Sequence, residues 1–344
     1  MTTKRVTMQM LAEATGLSKF AVSRALSDKP GVSEATRKRV HAAATELGYR
    51  KPTPAHRRTI GLLFDDVHGI NSELQIQLQS GARREAERLG FDLRVHWTSH
   101  RHEYMGMFAD CVGLIVSGVD EIESVKKARS MGIPVVRLGF CATNEDVDMV
   151  GGAGHEAGAA VAEYLLGFGH REIAYVHGPP TFRGRFTRFY GLQQALEEIG
   201  GCTLHHLTWT HDNTFRQVLE QRLDGGAWPT AYFCSHDGLA VTVVSELLSR
   251  GLKIPDDVSV MGFGDFAAAT QVSPPLTTVR VNGEEEGATA VKLLRERISG
   301  ERAWAFPMRL RVLNTLIERD TVGPRKQLAR PTAKPGRPRR RAAR

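Results

Sequence analysis

Hydrophobic and polar positions along this chain follow two regimes. Over residues 7–47 the apolar positions recur at helical spacing. Met8, Leu11 and Ala12 share one face of a first short helix. Ala21, Val22, Ala25 and Leu26 share one face of a second, and Val40, Ala44 and Leu47 form the stripe of a third. Thr7, Ser18 and Ser33 stand where N-caps belong, each with a hydroxyl able to accept from an orphan backbone N–H. Gly16 marks a sharp turn between the first two helices, and Gly48 ends the third.

From Thr59 the pattern changes to short apolar runs separated by amphipathic stretches. The runs at 60–64, 91–97, 111–118, 133–139, 173–178, 230–235 and 258–264 read as strands. Helices are expected near 73–89, 121–131, 156–168, 187–200, 214–223, 238–251 and 283–299. Strands alternating with helices imply parallel sheets with helices on both faces. The span is too long for one such unit, so two similar α/β lobes with a cleft between them are expected. The expected division is lobe 1 over 59–153 and 282–306, and lobe 2 over 154–281 and 307–322.

Charge sharpens this division. The net charge of +8 is the balance of a head at 1–58 carrying +8, a tail at 323–344 carrying +9 and a body carrying −9. Basic ends on an acidic body fit a protein whose ends alone meet a polyanion. Residues 51–58 read as a short basic linker stiffened by Pro52 and Pro54. The tail has almost no apolar bulk and is expected to be disordered. No apolar run is long enough to cross a bilayer and no signal-peptide pattern opens the chain, so a cytoplasmic protein without membrane contact is expected. The four cysteines lack metal-ligand spacing. Cys111 and Cys234 are expected as buried free thiols, and no metal or cofactor is expected.

Lys19, Phe20, Ser23 and Arg24 lie off the inward face of the second helix, near its start. Two helices around a Gly turn with such a helix second match the helix-turn-helix design, whose second helix enters the major groove. On these residues alone an ordinary αα-hairpin with a solvated face fits as well. One segment decides between them. Gly169-His170-Arg171-Glu172-Ile173-Ala174-Tyr175-Val176-His177-Gly178-Pro179 resembles the GHRxIAxVxGP signature of the LacI/GalR family of bacterial transcription regulators. Residues 6–49 resemble the family's DNA-binding headpiece. IPDDVSVMGFGD (254–265), PPLTTV (274–279) and LIERDT (316–321) resemble its later landmarks.

The resemblance implies a helix-turn-helix headpiece and a two-lobed effector domain like periplasmic sugar-binding proteins. It also implies a homodimer that binds a palindromic operator, acts as a repressor and answers to a small molecule, a sugar or sugar derivative. Candidate DNA contacts are Thr7, Ser18, Lys19, Phe20, Ser23 and Arg24. Lys and Arg can donate to guanine, whereas Phe20 either packs on a thymine methyl or belongs to the headpiece core. The family's hinge helix, with its minor-groove leucine, has no counterpart in the short, proline-containing linker.

Candidate effector contacts are Asn71 and Ser72 after the first strand, Arg188 in an R-x-x-G motif, His236 and Asp237 after a strand, and Asp265. Arg137, Arg183 and Arg185 are expected nearby. His236 stands where the family has Asn, Gly154-His155 where it has Asp-Asn, and Gly264 where it has a ligand-binding Asp. A cleft that has lost carboxylates points to an anionic ligand. The basic stretch at 334–341 resembles an AT-hook with Arg337 entering the minor groove; a merely solvated basic tail fits as well. No nucleophile elbow, P-loop, metal spacing or dinucleotide fingerprint is present, so an enzyme is not expected. A sugar-binding protein without a regulatory role is the remaining alternative.

Overall fold

The structure, a computed structural model, describes residues 8–26, 32–47, 59–64, 72–97, 110–118, 122–142, 144–178, 183–209, 214–223, 228–300 and 306–325. The chain divides into two compact units, 1–58 and 59–344.

The first unit holds helices α1 (Met8–Thr15), α2 (Lys19–Ala25) and α3 (Glu34–Glu46). Ser18 and Ser33 cap α2 and α3, each hydroxyl accepting a backbone N–H three residues on, at 3.2 Å. Gly16 makes the turn with φ of +64°. Leu11, Val22, Ala25 and Val40 are fully buried and form the core with Ala12 and Ala44. Leu47, expected in the α3 stripe, is exposed instead. It caps the helix C-terminus, where the last turn has left the core face.

The second unit is built twice over on one plan. Its elements are β1 (Thr59–Phe64), α4 (Ser72–Arg88), β2 (Asp92–Trp97), β3 (Gly113–Ser117), α5 (Ile122–Ser130), β4 (Val135–Leu138), β5 (Asp148–Gly152), α6 (Gly154–Gly167), β6 (Glu172–Val176) and α7 (Arg183–Ile199). These are followed by β7 (Thr203–Leu207), α8 (Phe215–Leu223), β8 (Ala231–Cys234), α9 (Asp237–Ser249), β9 (Ser259–Gly264), α10 (Ala267–Gln271), β10 (Thr277–Arg280), α11 (Gly283–Ser299), β11 (Arg309–Val312) and β12 (Thr315–Ile317). One sheet runs β2-β1-β3-β4-β5-β11, the other β7-β6-β8-β9-β10-β12. All pairs are parallel except β10 with β12. The inner strands β1, β8 and β9 are buried along their whole length, as parallel strands covered on both faces must be.

The chain crosses between lobes three times. The first two crossings lie at 152–154 and 280–283. The third corrects the expected boundary at 306–307. Residues 309–312 remain with the first lobe because β11 pairs with β5, Arg309 opposite Met149. Only β12 belongs to the second sheet. The folded body also extends past residue 322, where a disordered tail was expected to begin. Gly323 donates its N–H to Ser259 Oγ at 3.1 Å, and its carbonyl accepts from His170 Nε2 at 3.0 Å. The histidine of the Gly169-His170-Arg171 motif is thus a buried tie for the chain end.

Each lobe is clamped by one helix pair that crosses at glycines. In the first lobe α4 meets α11, and a Cβ on Gly81 would stand 1.8 Å from the Glu284 carbonyl oxygen. In the second α6 meets α7, and a Cβ on Gly191 would stand 1.9 Å from the His155 carbonyl oxygen. The glycine of the Arg188-Phe189-Tyr190-Gly191 motif is therefore a helix contact, and it fixes where Arg188 emerges. Cys111 and Cys234 are free and buried, as expected. Among the described residues no helix is long and apolar enough to cross a membrane.

Candidate functional site

In the first unit, α2 begins with exposed Lys19, and Ser23 and Arg24 follow half-buried on the same short helix. Ser18 commits its oxygen to the cap. Phe20 lies in α2, but its side chain falls outside the described residues, as do Thr7 and Arg337. The Ser18 cap holds α2 by its first turn, where a reading helix meets base edges.

In the second unit a cavity of about 320 Å³ opens between the lobes. The first lobe lines it with Leu74, Phe140, Glu286 and Arg311, together with the backbone at Gly118 and Gly152. The second lobe contributes Arg183, Arg185, Arg188, His236, Phe263 and Phe266. Asn314, on the third crossing, completes the wall.

Arg188 is the centre of this arrangement. Its guanidinium carbon lies over the Phe263 ring, 3.6 Å from the centroid, and Nη1 donates to the Ser235 carbonyl. Burial pulls it down to about 10, leaving it charged at neutral pH, and its Nε–H has no partner. His236 caps α9, its Nδ1 accepting the Gly238 N–H at 3.0 Å. That bond assigns the ring proton to Nε2, which is buried and without a partner. Burial, then the nearby Arg185 and Arg188 charges, lower His236 to about 4, so it is neutral at pH 7. Arg185 is buried and donates to the His177 carbonyl at 3.2 Å, and Arg183 stands 5.1 Å over the Phe140 ring of the opposite lobe.

Glu286 brings a carboxyl group to the same cavity. Burial pushes it up to about 7, against the pull of Arg188, Arg311 and the Gly152 N–H. It lies in the run Glu284-Glu285-Glu286 in the first turn of α11. Only the register of α11 turns the third acid inward. Arg311 was missed for a similar reason, since four-residue β11 carries no apolar run.

Three expected contacts are placed elsewhere. Asp237 does not line the cavity. It is fully buried, with Oδ1 accepting from Thr278 Oγ1 at 2.6 Å and Oδ2 from the Phe266 N–H at 2.8 Å. Gly262 makes room for it, since a Cβ there would come within 2.2 Å of Oδ1. Burial raises Asp237 to about 6 despite those bonds. Asp265, at φ of +57°, is held by Arg280 Nε at 2.7 Å and Arg319 Nη2 at 2.6 Å, away from the cavity. Ser72 begins α4, exposed and outside the cavity lining, and Asn71 falls outside the described residues. Arg137 is fully buried and chelated by Glu145; it donates to the Gly118 carbonyl at 2.6 Å and so supports the cavity wall from behind. Among the described residues no cluster of metal-ligating side chains occurs.

A three-helix unit with a capped reading helix, in one chain with a two-lobed α/β cleft, defines a ligand-responsive transcription regulator. Comparison with known proteins agrees. The model of bacterial regulatory proteins, lacI family, matches residues 7–51, and that of the periplasmic binding protein-like domain matches 162–322. The HTH-type transcriptional repressor CytR of Escherichia coli (strain K12) is 29% identical over 313 residues, 86% of this chain and 90% of that one. The probable HTH-type transcriptional repressor ExuR of Bacillus subtilis (strain 168) is 25% identical over 324 residues, 86% and 92% of the two chains. A solved transcriptional regulator, CelR with cellobiose, superposes with a TM-score of 0.66 at 25% identity, covering 92% of this chain and 100% of that one. The chain thus joins a lacI-family helix-turn-helix domain to a periplasmic binding protein-like domain, and the curated relatives it matches are LacI-family transcriptional repressors.

Proposed function

We propose that the protein is a cytoplasmic repressor that binds a pseudo-palindromic operator as a homodimer and releases or tightens it when a sugar-like effector enters the interlobe cavity. Lys19, Ser23 and Arg24, with Phe20, read the major groove, and Arg188 and His236 hold the effector. The observation that carries this reading is the cavity itself. It is set between two sheets of one plan and lined by charged and aromatic side chains, in a chain whose N-terminal unit is a capped helix-turn-helix. Aromatic faces with a few convergent polar groups are the usual lining of a small-molecule site. Asp237, its oxygens both engaged inside the chain, serves by fixing the loop that carries Phe266 and His236. Arg337 and the basic tail add minor-groove or phosphate contacts beside the operator.

In vitro selection of DNA by the purified protein tests the first half. Recovery of two inverted half-sites supports a dimeric reader, and enrichment without sequence preference refutes it. Binding of a sugar panel to Arg188→Ala tests the second half, since unchanged affinity would remove Arg188 from the site.

A further inference from the structure

Resting on the effector reading above, we infer that the cavity selects a small polyhydroxylated carboxylate, a sugar acid of about one ring. Its carboxylate lies against Arg188 and His236, and its hydroxyl groups lie toward Asn314 and Glu286.

The polar groups of the lining residues set this polarity. Arg188 Nε–H and His236 Nε2–H are buried donors without acceptors. Asn314 Oδ1 is a buried acceptor without a donor. These residues line the cavity with polar groups that the chain does not satisfy, donors on the Arg188 and His236 side and an acceptor at Asn314. Arg188 can only donate, and His236 has only its Nε2–H left beside the cap, so a carboxylate, with acceptor oxygens and no hydrogen, suits this wall. An orphan acceptor calls for an O–H or N–H, which a sugar hydroxyl provides.

Charge supports the same ligand. Among the described lining residues four arginines face one carboxyl group. A neutral sugar would leave the charges of buried Arg185 and half-buried Arg188 without an anion in the site. Gly154 carries no side chain, and a Cβ there would lie 3.6 Å from Arg188 Cγ. No carboxylate therefore stands beside Arg188 at this position to answer its charge in advance. A phosphate ester is a poorer match. As a dianion it meets the greater repulsion from the Glu286 carboxyl group, which shares the cavity. The volume, about 320 Å³, lies at the small end of ligand pockets and suits one ring.

Thermal denaturation and calorimetry of the full-length protein with matched compounds test this inference. The panel pairs D-glucose, D-galactose and D-xylose with their uronic and aldonic acids, and adds glucose 6-phosphate. At least one acid should bind about tenfold tighter than its neutral partner. Gly154→Asp should remove that gain by offering Arg188 a fixed carboxylate. Gly154→Asn, equal in size and uncharged, should keep it and so controls for folding and space. A neutral sugar binding tightest, or equal losses in the Asp and Asn variants, overturns the inference and leaves the effector reading standing. A preference for glucose 6-phosphate overturns the carboxylate. No binding by any member overturns the sugar-effector reading beneath it.

Discussion

The two lobes of the effector domain share a strand order and a helix pair that crosses at glycines, yet they bring different chemistry to the cavity between them. The second lobe supplies three arginines and a neutral histidine. The first supplies a buried carboxyl group and one arginine at its edge. Backbone plan and ligand chemistry are thus separable. The plan is set by where glycines let helices touch and where parallel strands are buried. The chemistry is set by the few side chains at the carboxyl ends of the strands, where open α/β sheets place their ligands. A ligand that touches both lobes has to meet a mostly cationic wall on one side and a mixed one on the other.

The largest expected effect tests the shared plan. Gly191→Ala forces a methyl group into the His155 backbone and should cost about 2–4 kcal/mol by urea denaturation. Gly81→Ala should cost a similar amount in the first lobe. A large loss in one lobe and none in the other would break the equivalence of the two clamps.

The next test separates the chemistry. Arg188→Ala should weaken effector binding by about 2–4 kcal/mol, since it removes a desolvated charge-assisted donor. Arg311→Ala, at the rim of the first lobe, should cost about 0.5–1 kcal/mol. Equal losses in calorimetry would show that the lobes share the anion evenly.

Glu286 offers a smaller and sign-specific test. Its carboxyl group is raised to about 7 in the folded protein, from an ordinary value of 4.5. Between those two values the folded state binds the extra proton, so this group makes the protein less stable as pH rises from about 4.5 to about 7. Glu286→Gln should remove that slope. The variant should gain about 1–3 kcal/mol over the wild type at pH 8 and little at pH 4. Asp237 keeps its own slope up to about 6 in both proteins and so cancels in the difference. A difference between the two proteins that does not change with pH would contradict the assignment.

The smallest expected effect lies outside both lobes. Deleting residues 326–344, beyond the chain end that His170 secures, should leave the folded body intact. It should flatten the salt dependence of operator binding, most at A·T-rich flanks if Arg337 enters the minor groove. Equal weakening at all flanks would leave only phosphate contacts.

Much of the frame was legible in the chain. The apolar runs gave β1, β8 and β9 because buried parallel strands carry their own signal, and Ser18 and Ser33 marked helix starts by their chemistry. Short strands such as β11 and β12 were not legible, because three or four residues with polar neighbours show no period. This is why the third crossing fell six residues or more from its expected place. In the cavity, Arg188 was legible through its motif spacing and His236 through its departure from a pattern. Glu286 was hidden in an acidic run, since one residue of helical register decides which acid faces inward. Asp237 was legible as important but not as internal. Its hydrogen bonds depend on Thr278 and on the empty space at Gly262, and sequence spacing does not show that the fold brings these together.

The most direct test of the account is operator affinity measured by fluorescence anisotropy with and without the acid that stabilises the protein most. The wild type should shift by about tenfold when that acid saturates the cavity. Arg188→Ala should bind the operator as the wild type does and show no shift. An identical response in both proteins, or tight binding of the acid with no change in operator affinity, would contradict a regulator governed from this cavity.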